Sequence, residues 1–303
     1  MSLTAILFPG QGSQTPEMRD SVARLRPDLL AMAIEVVGED PFPRVDDGTR
    51  FAQPAIFCAS LAGWSELDSS GSPGAEHDHP GSGSGQGDLM AGHSLGEVAA
   101  LVAAGSLDER DGLELVTLRG ALMQEAGEQA GANGPDGPAA HAGGMLALLG
   151  AGAADHATEL AQAHGLSVAN DNSPQQVVLS GARTALPEAG AAAKELGLRA
   201  IELPVTGAFH SPMMESAVPR FDAALRGVQI KPARIPVLSA VTASEFDDVR
   251  LRLVQALTRP VRWRETMLAL HERGARRFVE TGPGKVLTGL AKRTLRDVEL
   301  VNA

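Results

Sequence analysis

Ser94 stands in Gly92-His93-Ser94-Leu95-Gly96-Glu97, after the short apolar run Asp88 to Ala91 and before the Ala-rich, helix-favouring segment Val98 to Ala104. A strand, a sharp turn carrying a serine between glycines, and a helix together make a nucleophile elbow. Glycines are needed because the two backbones come so close that side chains flanking the serine would collide. The hydroxyl is left at a helix N-terminus. There the N–H of Leu95 and the helix dipole favour negative charge developing on an attacked carbonyl oxygen. A serine is a poor nucleophile until a base takes its proton. His210, in Thr206-Gly207-Ala208-Phe209-His210-Ser211-Pro212, lies in a loop of small residues that could present such a base. The plainer alternative is a Gly-Ser turn ahead of an ordinary helix.

Two further groups have chemical reach. Pro9-Gly10-Gln11-Gly12-Ser13-Gln14 follows an apolar run directly, so the N–H of Gln11 could be a second oxyanion donor from the loop after another strand. Its alternative is a tight turn between strand and helix. Arg119 shares a helical face with Leu115, Val116, Leu122 and Met123. A buried arginine there needs a partner, whereas one at the stripe's edge would only snorkel to water. Thr281-Gly282-Pro283-Gly284-Lys285 lacks the Walker spacing and its Ser/Thr, which argues against nucleotide binding.

The elements that must position these groups follow in order. Leu3 to Phe8, an apolar run ending at Pro9, reads as a buried parallel strand. Met18 to Val37, broken at Pro27, and Gln53 to Leu67 carry helical periodicity, as does Asp108 to Ala126. Met145 to Leu149, Asp155 to His164, Leu166 to Ala169, Gln176 to Ser180, Ala182 to Leu196 and Arg199 to Leu203 then read βαββαβ, the order of a ferredoxin-like unit. Ile235 to Leu238 and Arg277 to Val279 add core strands, with a helix over Asp247 to Leu257 between them. The expected organisation is a large α/β domain over 1–128 and 205–303 with a small domain inserted at 143–204. Gly-rich stretches at 69–87 and 127–144 read as flexible loops. His77 and His79 in the first have too few companions to suggest a metal, so none is expected.

Composition narrows the function class. The 303 residues are 44% hydrophobic and can bury a substantial core. Aromatics are only 3%, with no Tyr, and the net charge is -11, which together argue against a base-stacking surface or a polyanion as the main partner. No apolar stretch is long enough to cross a bilayer, and the N-terminus does not read as a signal peptide. The lone Cys58, in the apolar run Ala55 to Leu61, reads as a small buried hydrophobe in a reducing compartment, so the chain is read as cytoplasmic.

Six blocks, taken together, resemble malonyl-CoA:acyl carrier protein transacylases. They are Phe8 to Gln14, Gly92 to Glu97, Arg119-Gly120, Asn170 to Gln176, Gly207 to Ser211 and Gly282 to Leu287, in the family's order and over nearly the whole chain. The resemblance implies a hydrolase-like α/β domain with a parallel core sheet and an inserted ferredoxin-like subdomain, with the active-site cleft between them. Ser94 would take the malonyl group from malonyl-CoA as an ester, and His210 would be its base. Gln11 and Leu95 would supply N–H groups to the oxyanion, and Arg119 would hold the malonyl carboxylate. Phe209, bulkier than its counterpart in methylmalonyl-selective relatives, favours malonyl by analogy. The acceptor would be the phosphopantetheine thiol of an acyl carrier protein in a ping-pong cycle. No cofactor or metal is implied, and a monomer is expected.

The sequence departs from the family pattern at Ala256, where relatives often have Gln, and at Ser239-Ala240-Val241, where Asn is usual. Backbone carbonyls then become the candidates to hold the His210 N–H, and no acidic third member of a triad is evident. Arg262, Arg264, Lys285, Lys292, Arg293 and Arg296 read equally as a carrier-protein docking patch or a solvated basic face. Rival readings are an acyltransferase of a polyketide pathway, a serine esterase, which would need no carboxylate clamp, and a silent carrier-protein-binding subunit.

Overall fold

A computed structural model describes residues 2–69, 88–132, 142–205 and 207–302. The chain opens with β1 (Leu3–Phe8), α1 (Met18–Leu25), α2 (Pro27–Val37), α3 (Thr49–Ser69), β2 (Leu89–Gly92), α4 (Gly96–Ala103) and α5 (Glu109–Ala132). A second group follows: β3 (Gly143–Leu149), α6 (Ala153–Ala163), β4 (Ser167–Ser173), β5 (Gln176–Ala182), α7 (Leu186–Glu195) and β6 (Arg199–Glu202). The last group is α8 (Val218–Gly227), β7 (Val237–Ser239), β8 (Ser244–Glu245), α9 (Val249–Gln255), α10 (Trp263–Glu272), β9 (Ala275–Glu280), α11 (Val286–Thr294) and β10 (Glu299–Asn302).

Two sheets result. The larger has the order β10-β9-β1-β2-β7-β8 and is parallel except for the β7–β8 edge. Alternation along β1 explains why its sequence is apolar throughout. Ile6 and Phe8 face the core under α3, α4 and α5, while Ala5 and Leu7 face the core under α10 and α11. The register aligns Phe8 with Gly92 and Leu7 with Glu280, so the loops after β1, β2 and β9 leave from one edge of the sheet. Ligands of open α/β sheets bind at that carboxyl edge.

The smaller sheet, β4-β5-β3-β6, is antiparallel throughout, in the order of a split βαβ unit. Leu146 and Leu148 of β3 pack under α6 and α7, while Met145 and Ala147 point the other way and join the core of the larger body. One strand thus seals its own helices and closes onto the neighbouring domain.

Several boundaries differ from expectation. The break read at Pro27 is present: the helix from Met18 divides at Arg26 (φ -141°), because Pro27 excludes the helical conformation from the residue before it. The third helical stretch continues to Ala132, through Gly127 and Gly131, since an isolated glycine costs a helix only about 1 kcal/mol. Gly143 and Gly144 belong to β3, paired with Ala182 and Gly181, so the loop read over 127–144 is helix at one end and strand at the other. The remainder of that stretch, 133–141, lies outside the described residues, as do 70–87 with His77 and His79. The helix read over Ala182 to Leu196 begins only at Leu186, after a short 3-10 turn at Arg183–Ala185. Among the described residues no helix is long and apolar enough to cross a membrane, and no cluster of His, Cys, Asp and Glu could hold a metal.

Candidate active site

The turn after β2 is as tight as the sequence requires. A Cβ on Gly92 would lie 2.0 Å from the Gly96 carbonyl carbon, and one on Gly96 would lie 2.1 Å from Phe8 O. Between them Ser94 takes φ 56°, the left-handed region that a residue with a side chain enters at about 1–3 kcal/mol. Leu95 caps α4, where helix geometry leaves its N–H without an acceptor from the helix itself.

His210 is strained in the same way, with φ 58°, at the start of a turn fixed by Ser211. Ser211 Oγ donates to Ala208 O at 2.6 Å and accepts from Met213 N. The imidazole is buried and bonded at both nitrogens: Nε2 to Ser94 Oγ at 2.9 Å and Nδ1 to Ala256 O at 2.8 Å. A carbonyl oxygen can only accept, so Nδ1 carries the proton and Nε2 is free to accept that of Ser94. Burial, then the charge of Arg119, then His93 push His210 down to about 3, which keeps it a neutral base at physiological pH. At Ala256, what reaches His210 is the main chain.

Arg119 is 2% exposed, which excludes snorkelling. Its Nη1 donates to Gln53 Oε1 at 2.9 Å and its Nη2 to Ser94 Oγ at 3.2 Å. Burial lowers it to about 10, so it stays cationic. Gln53 is a functional neighbour that the sequence reading passed over. Its Nε2 donates to Thr49 Oγ1 at 3.0 Å and meets Met123 Sδ at 3.5 Å, which turns its carbonyl toward Arg119. The available signal was a glutamine three and four residues ahead of Ile56 and Phe57 on an apolar face.

These groups face one cleft of about 330 Å³, bounded by Gln11, Ser94, Leu95 and His210 from the larger body and by Asn170, Asn172 and Val178 from the smaller sheet. His93 spans the two sides: its Nε2 bonds Asn172 Oδ1 at 2.8 Å, and its ring stands edge-on to Trp263 at 5.4 Å. The cleft therefore holds a serine hydroxyl hydrogen-bonded to a neutral imidazole, N–H groups at a helix start, and a buried cation whose present partners are neutral. Such a set can attack a carbonyl and retain an acyl group that carries a carboxylate.

The Gly282 to Lys285 turn is on the same edge but has its donors engaged. Glu280 Oε1 accepts from Leu287 N at 2.9 Å and Oε2 from Thr288 N at 2.7 Å. The helix start that a phosphate would need is thus occupied by the protein's own carboxylate.

Residues 6–303 match the family of acyl transferase domains. The chain is 35% identical over 322 residues to the malonyl CoA-acyl carrier protein transacylase of Haemophilus influenzae, covering 100% of this chain and 95% of that one. It is 36% identical over 310 residues to the polyketide biosynthesis protein ThaF of Burkholderia thailandensis, covering 97% of this chain but only 24% of that longer protein. Among solved structures, the malonyl-CoA:acyl carrier protein transacylase of Xanthomonas oryzae superposes with a TM-score of 0.84 at 35% identity, covering 100% of this chain and 94% of that one.

Proposed function

Because the chain belongs to the acyl transferase domain family, we propose that it moves a malonyl group from malonyl-CoA to the phosphopantetheine thiol of an acyl carrier protein, by way of an ester on Ser94. His210 Nε2 takes the Ser94 proton as Oγ attacks the thioester carbonyl carbon. The oxyanion is held by the N–H groups of Leu95 and Gln11. Collapse breaks the C–S bond, and the departing CoA thiolate takes the proton back from His210. In the second half the carrier thiol gives its proton to His210 and attacks the ester, and Ser94 leaves with that proton. Arg119 turns one donor from Ser94 Oγ to the malonyl carboxylate, with Gln53 keeping the other in place.

The observation that carries this reading is the continuous set of hydrogen bonds Gln53–Arg119–Ser94–His210–Ala256 inside one buried cleft. Acetyl-CoA would leave the guanidinium unpaired there, a loss of about 3–5 kcal/mol if the scale of a broken buried pair holds. A core cluster confined to Leu146 to Leu198 supports an inserted unit over 143–204 within a catalytic body over 1–128 and 205–303, although Met145, Ala147, Ala169 and Val178 pack into the core of the larger body. For the carrier, the basic residues divide into two groups. Arg262 is tied to Glu265 and Arg264 to Asp171, whereas among the described residues Lys285, Lys292, Arg293 and Arg296 have no acid within ion-pair distance, Arg293 donating only to Gln176 Oε1. We assign these four, on and around α11 beside the cleft residues Val286, Leu287 and Leu290, to docking of the acidic carrier. The protein would act as a monomer in the cytoplasm, without a bound cofactor.

Intact mass after brief mixing with malonyl-CoA or acetyl-CoA tests the scheme. A malonyl adduct is expected on the wild type and on neither Ser94→Ala nor Arg119→Ala, and it should be chased off by holo acyl carrier protein. No wild-type adduct would overturn the transferase reading and leave the serine-esterase and silent-subunit readings, which hydrolysis of malonyl-CoA tells apart. The polyketide relative favours a second acceptor class, and comparing transfer to a fatty-acid and a polyketide carrier protein decides between them.

A further inference from the structure

Glu97 is a buried carboxylate that the transfer steps above do not use. It lies three residues beyond Ser94, with its N–H on Ser94 O at 3.1 Å. Its Oε1 accepts from Ser239 Oγ at 2.9 Å and from Ala240 N at 2.7 Å. Ala240 O accepts in turn from Arg262 N at 2.7 Å, so the carboxylate fastens the elbow helix to the loop beyond β7 and not to a cation.

Arg119 presents the complementary problem. A buried guanidinium needs a counter-charge, yet its hydrogen-bond acceptors are the neutral Gln53 Oε1 and Ser94 Oγ. A carboxylate placed directly on it would occupy the donors that a substrate carboxylate must use. Both groups sit on Ser94, the Glu97 N–H on its carbonyl and Arg119 Nη2 on its hydroxyl, and among the described residues each is the charged side chain that acts on the other. Ser239 and Ala240 hold that acid away from the guanidinium. We propose that Glu97 is a positioning residue that acts through Arg119, a counter-charge at one remove whose protonation state sets how tightly a carboxylated acyl group is held. This rests on the reading of Arg119 as the malonyl clamp.

Burial lifts Glu97 to about 7. Above that pH it is ionised and repels the incoming malonyl carboxylate; below it, the acid takes a proton from solvent and the repulsion disappears. The KM for malonyl should therefore rise with pH, although the malonyl carboxylate itself does not titrate near neutrality. Malonyl-N-acetylcysteamine is the suitable substrate, because it lacks the titrating phosphate of CoA.

From pH 6 to 8.5 the wild-type KM for this thioester should rise roughly three- to tenfold, the scale of one unit charge across a partly dry cleft. Glu97→Gln keeps an acceptor for Ser239 and Ala240 but removes the charge, so its KM should be low and flat over the same range. Ser239→Ala removes a donor that favours the ionised form and should move the midpoint to higher pH. The acetyl thioester should show no such rise. A flat wild-type profile overturns the proposal, as does a Glu97→Gln profile that keeps the wild-type rise. A loss of kcat in Glu97→Gln that is equal at every pH would mean a structural strap only. Should Glu97→Gln not fold, the wild-type and Ser239→Ala profiles decide. If Arg119→Ala keeps the preference for malonyl over acetyl, the clamp reading fails instead, and the two failures stay distinct.

Discussion

β2 and β9 flank β1 in one parallel sheet, and each runs into a glycine-rich turn that opens a helix at the same edge. At the first turn β2 ends in Gly92, Ser94 is held at φ 56°, and the helix start faces the cleft. At the second, β9 ends in Glu280, whose two oxygens take the N–H groups of Leu287 and Thr288 and the Thr288 hydroxyl. Local grammar is nearly the same in both. What separates an acyl-transfer turn from a structural cap is whether the preceding strand ends in a residue that can reach forward and satisfy the helix's own donors.

The strongest way to break the comparison is to deny the first turn its close approach. Gly96→Ala puts a methyl 2.1 Å from Phe8 O, a backbone atom that cannot yield cheaply. Even a 1 Å displacement of Ser94 from His210 should lower the malonyl charging rate on the order of 100-fold, read by quenched-flow mass analysis. Charging within tenfold of wild type would show that the elbow tolerates a spacing the close contact says it cannot.

Removing the self-made cap tests the other side. Glu280→Ala leaves the buried N–H of Leu287 and the part-buried N–H of Thr288 without acceptors and should cost about 1–3 kcal/mol in chemical denaturation. It makes no contact with Ser94, His210 or Arg119, so charging should fall far less than in Gly96→Ala. Freed in this way, the start of α11 should gain affinity for an anion, and inorganic phosphate should restore part of the lost stability. Stabilisation of the wild type by the same phosphate concentration would mean that the second turn was never closed.

The two turns also show how far the sequence could be read. β1 came out at Leu3–Phe8 because a doubly covered parallel strand is apolar at every position. The elbow was legible because its glycines answer a local steric demand. Arg119 and His210 were visible as candidates, but their burial and their meeting at Ser94 Oγ are products of tertiary packing. Gln53 and Glu97 escaped because an amide or an acid in a helix looks the same whether its partner is water or a side chain 66 or 142 positions away. α8, α10 and β10 were passed over for another reason: α8 and α10 do carry helical stripes, Phe221 and Leu225 in one and Trp263, Met267 and Leu270 in the other, but each is only ten residues long, and β10 has four. The end of α5 was misjudged because glycine was weighted as a stop.

A smaller effect is expected from pH. As the proposed base His210 must be neutral, and burial lowers it from 6.5 to about 3. Charging at saturating malonyl thioester should therefore stay level from pH 8 down to about pH 5, without an acid limb at the usual histidine value. The stability linked to this group has the same sign: it is complete above 6.5 and is lost as pH falls from there toward 3. An acid limb centred near 6.5 in single-turnover charging would mean that the cleft is wetter around His210 than around the Glu280 cap.

The smallest expected effect concerns the departure from the family pattern. His210 Nδ1 donates to Ala256 O at 2.8 Å, and Ala256 is the residue that caps the C-terminal end of α9 with φ -61°. An α-helical end imposes that carbonyl direction on any residue other than proline or an unconstrained glycine, so the tautomer of His210 does not depend on the side chain at 256. Restoring the common residue with Ala256→Gln should then leave the charging rate within about twofold, below 0.5 kcal/mol in the barrier. A large gain would mean that a side-chain amide adds a hydrogen bond the main chain does not supply. A large loss would have a different cause, since Ala256 is 4% exposed and a longer side chain there must displace packed neighbours. Measuring unfolding alongside charging separates them: overpacking lowers both, whereas a disturbed imidazole lowers charging alone.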